Sequence, residues 1–396
     1  MGDNRVNSLT IEKIAHDQCT GCFACFNVCP QNAITMNLDN EGFIFPSIDH
    51  SKCINCTACY YCCPASCINS IKSFKKVLRG YSNDPTIRNN GSSGGIFGLL
   101  SKRIIEEGGV VWGAVFFPDT LNVRHANSDD VSLNRILKSK YVQSEIRDAY
   151  KKVKEELIVD RKVLFCGTPC QIHGLKLYLK HDYNNLTTID FICHGVPSER
   201  VFQEMLENIA KSNNCTVREI SFREKTRGWR TQTINIYLAS GELISCLSVK
   251  NPYYMLFLKN YTLRSSCYAC NYYQNHQADI TLADDWLIPA NLDDDLGTSL
   301  VFCNTSDGQQ LIEKVASNVR ILELKRNEIN IERYKHNYDI NKRNAFFADF
   351  KEKGYAYTVE KYFESIESDI SPSEKQLSNY EILKKLAKSF LKRIAK

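Results

Sequence analysis

Beyond residue 90 the chain alternates short apolar runs with stretches whose apolar residues recur every three to four positions, the pattern of a layered α/β domain. Ile96–Glu107 has helical periodicity. Val110–Phe117 (VVWGAVFF) is a continuous apolar run, such as a sheet buries on both faces. Asp148–Leu157 predicts a charged helix, Lys162–Cys166 a strand, Gln171–Leu179 a helix and Leu186–Cys193 the next strand. Ser198–Lys211 reads as another helix. Strands follow at Val217–Phe222, Thr231–Leu238, Asp279–Asp284 and Ser299–Asn304. The stretch FKKVLRGYSNDPTIRNN, 74–90, reads as a linker or docking segment, and the chain beyond Glu323 as polar helix.

The first 64 residues follow a different rule. CTGCFACFNVCP, from Cys19 to Pro30, returns as CINCTACYYCCP, from Cys53 to Pro64. Each copy reads C-x-x-C-x-x-C-x-x-x-C-P, the run that holds a 4Fe-4S cube, since each iron corner needs a thiolate. In the two-cluster arrangement the fourth cysteine serves the other cluster. The spacing therefore assigns Cys19, Cys22, Cys25 and Cys63 to one cube, and Cys29, Cys53, Cys56 and Cys59 to the second. Zinc sites built from C-x-x-C pairs fit this spacing poorly, and disulfides belong to secreted chains. Cys62 adjoins Cys63, but the three-residue gap and Pro64 favour Cys63, leaving Cys62 and Cys67 as buried thiols.

A scattered cysteine set stands at predicted element ends: Cys170 in CGTPCQIHGLK, Cys193 in DFICHGVPS, and Cys267 and Cys270 in SCYAC. Loops at strand ends of an α/β sheet converge on one edge, so four thiolates could meet there. They would hold a third 4Fe-4S cluster or a zinc, or be ordinary buried cysteines, as Cys166, Cys215, Cys246 and Cys303 are expected to be. GSSGG, Gly91, Ser92, Ser93, Gly94 and Gly95, precedes a predicted helix. Free N–H groups there suit a phosphate, or the turn merely caps its helix.

GTPCQIHGLK, ICHGVPS, SCYAC followed by ADITLADDW, and GSSGGIFGLLSKRIIEEG together resemble the beta subunit of coenzyme F420-reducing hydrogenases and dehydrogenases over roughly residues 80 to 330. The resemblance implies an α+β N-terminal bacterial-type ferredoxin domain followed by a larger α/β flavin-binding domain of the hydrogenase beta-subunit type. It implies three 4Fe-4S clusters in all, the third on Cys170, Cys193, Cys267 and Cys270. It also implies FAD at Gly91–Gly95 with Lys140, while Thr168 could donate to the flavin or only stabilise its own turn. His194, beside a ligand position, and Lys140, in SKYVQS, become candidate catalytic residues, with a structural histidine and a surface lysine as the alternatives. The stretch SFREKTRGWR departs from the hydrogenase subunits. Its Arg223, Arg227 and Arg230 suit an anionic substrate or an acidic partner face, or form an exposed basic hairpin. Ala283 stands where many members have glycine, so the organic substrate is left open. The expected domains are 1–75 (two-cluster ferredoxin), 80–155 (flavin loop), 156–330 (third cluster) and 331–396 (helical extension).

The chain has 396 residues, 43% of them apolar, enough for a large core beyond the ferredoxin unit. Its 18 cysteines, with no apolar leader in MGDNRVNSLT, point to a reducing cytoplasm. The formal net charge of +5 is concentrated at the end: Ile382–Lys396 holds Lys and Arg without acids, and the rest is near neutral, which argues against nucleic acid. That tail predicts a basic amphipathic helix, with Leu383, Leu386, Phe390 and Ile394 on one face. Packing on its own domain is favoured over contact with a membrane surface. The expected partners are a small-molecule substrate and a redox protein such as a ferredoxin.

Overall fold

The computed structural model describes residues 9–67, 74–270, 272–325, 328–329, 334–335 and 338–369. The basic tail, with its expected membrane or partner contact, lies outside them.

The N-terminal unit is small. Helix α1 (Ala24–Val28) follows the first cysteine loop, the antiparallel hairpin of β1 (Ile34–Leu38) and β2 (Ile44–Ile48) comes next, and α2 (Ala58–Tyr61) follows the second loop. The chain then enters β3 (Lys76–Ser82) and α3 (Pro85–Asn90), whose first turn is capped by Asp84 accepting from the N–H groups of Thr86 and Ile87. The expected linker is therefore a strand and a helix. The large domain continues with α4 (Ile96–Glu106), β4 (Val110–Phe117), β5 (Asn122–Asn127), α5 (Leu133–Ile136), β6 (Ser144–Glu145), α6 (Ala149–Ile158), β7 (Val163–Cys166), α7 (Pro169–Leu179), β8 (Leu186–Phe191) and α8 (Glu199–Asn213). A separate sheet follows, of β9 (Val217–Glu224), β10 (Thr233–Leu238) and β11 (Leu243–Leu247), and then α9 (Pro252–Leu258). The chain returns to the main sheet through β12 (Ile280–Asp284), β13 (Ser299–Cys303), α10 (Ser306–Lys314) and β14 (Val319–Glu323), and α11 (Ile340–Asp369) bends at Gly354.

Nine strands form the main sheet, in the order β14-β3-β13-β12-β8-β7-β4-β5-β6. Strands β12, β8, β7 and β4 are mutually parallel, and β3 shares their direction because it and β12 both lie antiparallel to β13. The loops leaving β3, β7, β8 and β12 therefore all emerge at one carboxyl edge, where α/β sheets bind ligands. The sheet takes strands from both 80–155 and 156–330, so the expected division at 155/156 runs through one hydrogen-bonded layer.

Apolar spacing explains the layers. In α8, Val201, Phe202, Met205, Leu206 and Ile209 fall on one buried stripe, while Ser198 caps the start by accepting from the Val201 N–H. One core joins the N-terminal unit to the large domain: Cys22, Phe23 and Ala24 pack in a single cluster with Phe165, Ile172 and Leu175. Polar contacts pin the same interface. Asn27 Nδ2 donates to the Arg147 carbonyl at 2.7 Å, and Gln143 Nε2 to the carbonyls of Thr20 and Gly21 at 3.0 and 3.3 Å.

Candidate cluster sites and the cleft between them

The two cysteine loops share one backbone course. Gly21 and Asn55 hold the third place of each run at φ 65° and 56°, and Phe23 and Thr57 the fifth at 64° and 62°. Left-handed residues set among ordinary ones curl a short loop around a concave space. A Cβ at Gly21 would stand 2.6 Å from Gln143 Nε2 and 2.9 Å from Arg264 Nη1, so a side chain there must push both aside.

The structure brings the thiol of Cys63 near those of Cys19, Cys22 and Cys25, close enough for their charges to repel. Cys29 lines a small cavity with Cys53, Cys56 and Cys59. The first group is the deeper, with Cys22, Cys25 and Cys63 all buried, whereas Cys56 is exposed. Cys62 is buried, with its Sγ 3.4 Å from the Cys59 carbonyl, and it also feels the charge of Cys22. Cys303 is fully buried, while Cys166, Cys215 and Cys246 are only partly so.

A third group forms at the carboxyl edge. Cys170 opens α7 after β7, Cys193 follows β8, and Cys267 sits within a short 3-10 turn, Ser265–Ala269, that Cys270 ends. Cys193 feels the charge of Cys267, Cys170 and Cys270, so the four converge. They line a cleft of about 550 Å³ between the N-terminal unit and the large domain, together with Thr168, Arg264, Tyr272 and Tyr273.

The third and first groups adjoin. Gly174, one turn into α7 from Cys170, is bare where Cys22 approaches, and a Cβ there would lie 3.0 Å from Cys22 Sγ. Tyr272 feels both Cys170 and Cys22, and its hydroxyl meets His173 Nδ1 at 2.7 Å. Arg264, fully buried, donates to the Cys19 carbonyl at 2.6 Å and reaches Cys19 Sγ at 3.6 Å. None of these three residues stands out in the sequence, since each acts through neighbours distant along the chain.

The residues expected at a flavin divide. Thr168 lines the cleft, and its Oγ1 lies 3.1 Å from Cys170 Sγ. The Gly91–Gly95 loop is partly spent on its own packing. Ser92 Oγ accepts from the Ser139 N–H at 2.7 Å, Ser93 Oγ donates to the Thr298 carbonyl at 2.7 Å, and the Gly94 N–H goes to Ser299 Oγ at 2.9 Å. Lys140 is neither at the surface nor facing the cleft. Its Nζ donates to the carbonyls of Arg135, Ile136, Leu137 and Lys138, closing the end of α5, and burial pulls it down to about 7. His194 stacks edge-on against Phe257, and its Nδ1 lies 3.2 Å from the Tyr338 hydroxyl. The basic segment is no exposed hairpin at Arg223, which is buried and donates to Asp284 and Tyr141, both at 3.0 Å. Arg230 pairs with Asp293, so both guanidinium groups already hold carboxylates.

The donor set fits iron. Burial first, then neighbouring thiols, pushes Cys267 up to about 11 and Cys270 to about 12, and raises Cys22, Cys25 and Cys193 further. Thiols so crowded become stable thiolates only when a cation offsets the repulsion. Among the described residues no three His, Cys, Asp or Glu side chains close on one point as a lone ion needs. A cube instead takes each thiolate at a separate corner. In the other expected set, Lys140, the Ser93 hydroxyl and the Gly94 N–H are engaged within the protein.

Among the described residues no helix is long and apolar enough to cross a membrane. No curated protein matches the chain. A chain of the F420-reducing NiFe hydrogenase complex from Methanosarcina barkeri is similar at 17% identity and a TM-score of 0.44, over 74% of this chain and 95% of that one. Residues 18–67 match the 4Fe-4S dicluster domain, and residues 160–328 match the family described as the C terminus of the coenzyme F420 hydrogenase/dehydrogenase beta subunit. The chain thus joins a 4Fe-4S dicluster domain to a later region that matches the C terminus of that beta-subunit family.

Proposed function

We propose that this protein is an iron-sulfur flavoprotein oxidoreductase passing electrons between a redox partner protein and a small organic molecule. The observation that carries the reading is the meeting of Cys170, Cys193, Cys267 and Cys270, from three separated loops, in a cleft adjoining Cys22. Three 4Fe-4S clusters would take the thiolates of Cys29, Cys53, Cys56 and Cys59, of Cys19, Cys22, Cys25 and Cys63, and of Cys170, Cys193, Cys267 and Cys270. Such clusters supply one-electron steps, and a flavin would exchange electrons in pairs with the organic molecule.

The chain's own residues arrange the route. Exposed Cys56 puts the outer site within a partner's reach, while the burial of Cys22, Cys25 and Cys63 keeps water from the inner one. Gly174 and Tyr272 narrow the gap between the inner site and the cleft. Thr168 steadies Cys170 through the hydroxyl–sulfur contact. A flavin would bind within electron-transfer reach of the cleft, beside Thr168 or on the Gly91–Gly95 loop.

Iron, sulfide and flavin analysis of protein purified without air tests the reading. Cys170→Ala and Cys267→Ala should each remove about a third of the iron. Unchanged iron in both variants would refute the third cluster. The engaged state of Lys140 favours one alternative, an electron-transfer subunit that wires a partner enzyme. Turnover of a small electron acceptor by the purified chain alone, with bound flavin, would exclude it.

A further inference from the structure

Arg264 has a relation to its surroundings that interface packing does not explain. It is fully buried, yet four of its N–H groups meet carbonyls, an amide and a sulfur: Cys19 O at 2.6 Å, Ile44 O at 2.8 Å, Gln143 Oε1 at 3.2 Å and Cys19 Sγ at 3.6 Å. The rings of Phe45 and Phe43 lie 4.2 and 5.8 Å from the guanidinium carbon. These groups are neutral, apart from the sulfur once it is ionised. A buried cation without an anion is strongly unfavourable, so the geometry calls for negative charge beside it. The sulfurs answer that need. Besides Cys19, its charge acts on the thiols of Cys170 and Cys267, which belong to the cleft group. Its carbonyl also accepts the Cys267 N–H at 3.0 Å, tying it to that loop.

We propose that Arg264 is a positioning residue, the shared counter-cation of two clusters, and that it raises the reduction potentials of both the Cys19 and the Cys170 sites. The proposal rests on the three-cluster reading above. Each cluster gains negative charge when it accepts an electron, and a fixed cation in a dry interface stabilises the reduced form more than the oxidised one. No bond forms or breaks, and the electron comes from the partner protein, or from a chemical mediator in a titration. Arg264 thus draws electrons from the outer cluster toward the cleft.

Potentiometric titration of the anaerobic full-length protein, followed by electron paramagnetic resonance, tests this. The outer cluster's signal, assigned by its loss in Cys53→Ala, serves as an internal reference. In Arg264→Gln both inner clusters should become at least tenfold harder to reduce, 59 mV for a one-electron couple, with the outer one unmoved. Arg264→Lys keeps the charge and should recover most of the difference. The resonance signal reads only loaded clusters, so partial iron loss does not obscure the result. Inner potentials unchanged in Arg264→Gln would overturn the proposal. Complete loss of the inner clusters in Arg264→Gln, with Arg264→Lys normal, would also overturn it, leaving a purely architectural role. Iron for only two clusters in the wild type would instead sink the three-cluster reading, and the Cys19 site would still report on Arg264.

Discussion

At the scale of single residues, buried charge is the sharpest constraint. Glu199 is buried at the first position of α8, with one carboxylate oxygen accepting from Gln203 and the other without a partner. Burial, then the neighbouring Glu145, raises it from 4.5 to about 7. The folded protein holds this proton where the unfolded chain has released it. The contribution is therefore fully present below pH 4.5 and declines as pH rises toward 7, by up to about 3 kcal/mol. Glu199→Gln should be near neutral at the acid end and stabilising by about 1 to 3 kcal/mol above pH 8, by denaturant unfolding at both ends. Equal effects at the two ends would contradict the assignment. Cysteine ligands and Glu199 differ in how well a sequence reveals them. Ligands announce themselves because cluster chemistry fixes both residue type and spacing, as in Cys19, Cys22 and Cys25. Arg264 gives no such sign, since the cysteine that explains it is 245 positions away.

At the scale of elements, α7 sets how near two cluster sites come. Its Gly174 loses about 1 kcal/mol of helix propensity relative to alanine, yet any side chain must displace Cys22. Gly174→Ala, whose Cβ falls 3.0 Å from the sulfur, should change stability by less than about 1 kcal/mol, because propensity offsets crowding. Gly174→Leu should cost about 1 to 3 kcal/mol by overpacking, and should weaken the magnetic coupling between the two neighbouring reduced clusters. A leucine variant with unaltered coupling would show that the approach is made elsewhere. Elements with strong periodicity, such as β4 and α8, are plain from their residues alone. Strand β3 is not: its Lys76, Arg79 and Gly80 interrupt the apolar run, and Val77 and Leu78 both become buried only where β13 and β14 flank the strand. A local pattern cannot reveal partners that lie so far on. The Gly91–Gly95 loop shows the same limit, since the Thr298–Ser299 segment that takes its Ser93 hydroxyl and Gly94 N–H is equally remote.

At the scale of the whole molecule, iron and fold are coupled unequally. The N-terminal unit has short elements and draws its order from the cysteine loops, whereas the main sheet has its own core of Leu100, Val111, Leu164 and Ile280. Metal affinity of this kind is folding energy. Chelation of iron under anaerobic conditions should therefore abolish hydrogen-exchange protection across residues 9–67 while leaving β4, β7 and β8 protected. Uniform loss, or none, would contradict that division. The position of β3 carries a further consequence for how the protein is made. A ribosome releases this strand well before the two segments that flank it, which follow more than 200 residues later. Until then its edge is an open template, and a nascent chain that stalled in between would be the form most exposed to misassociation.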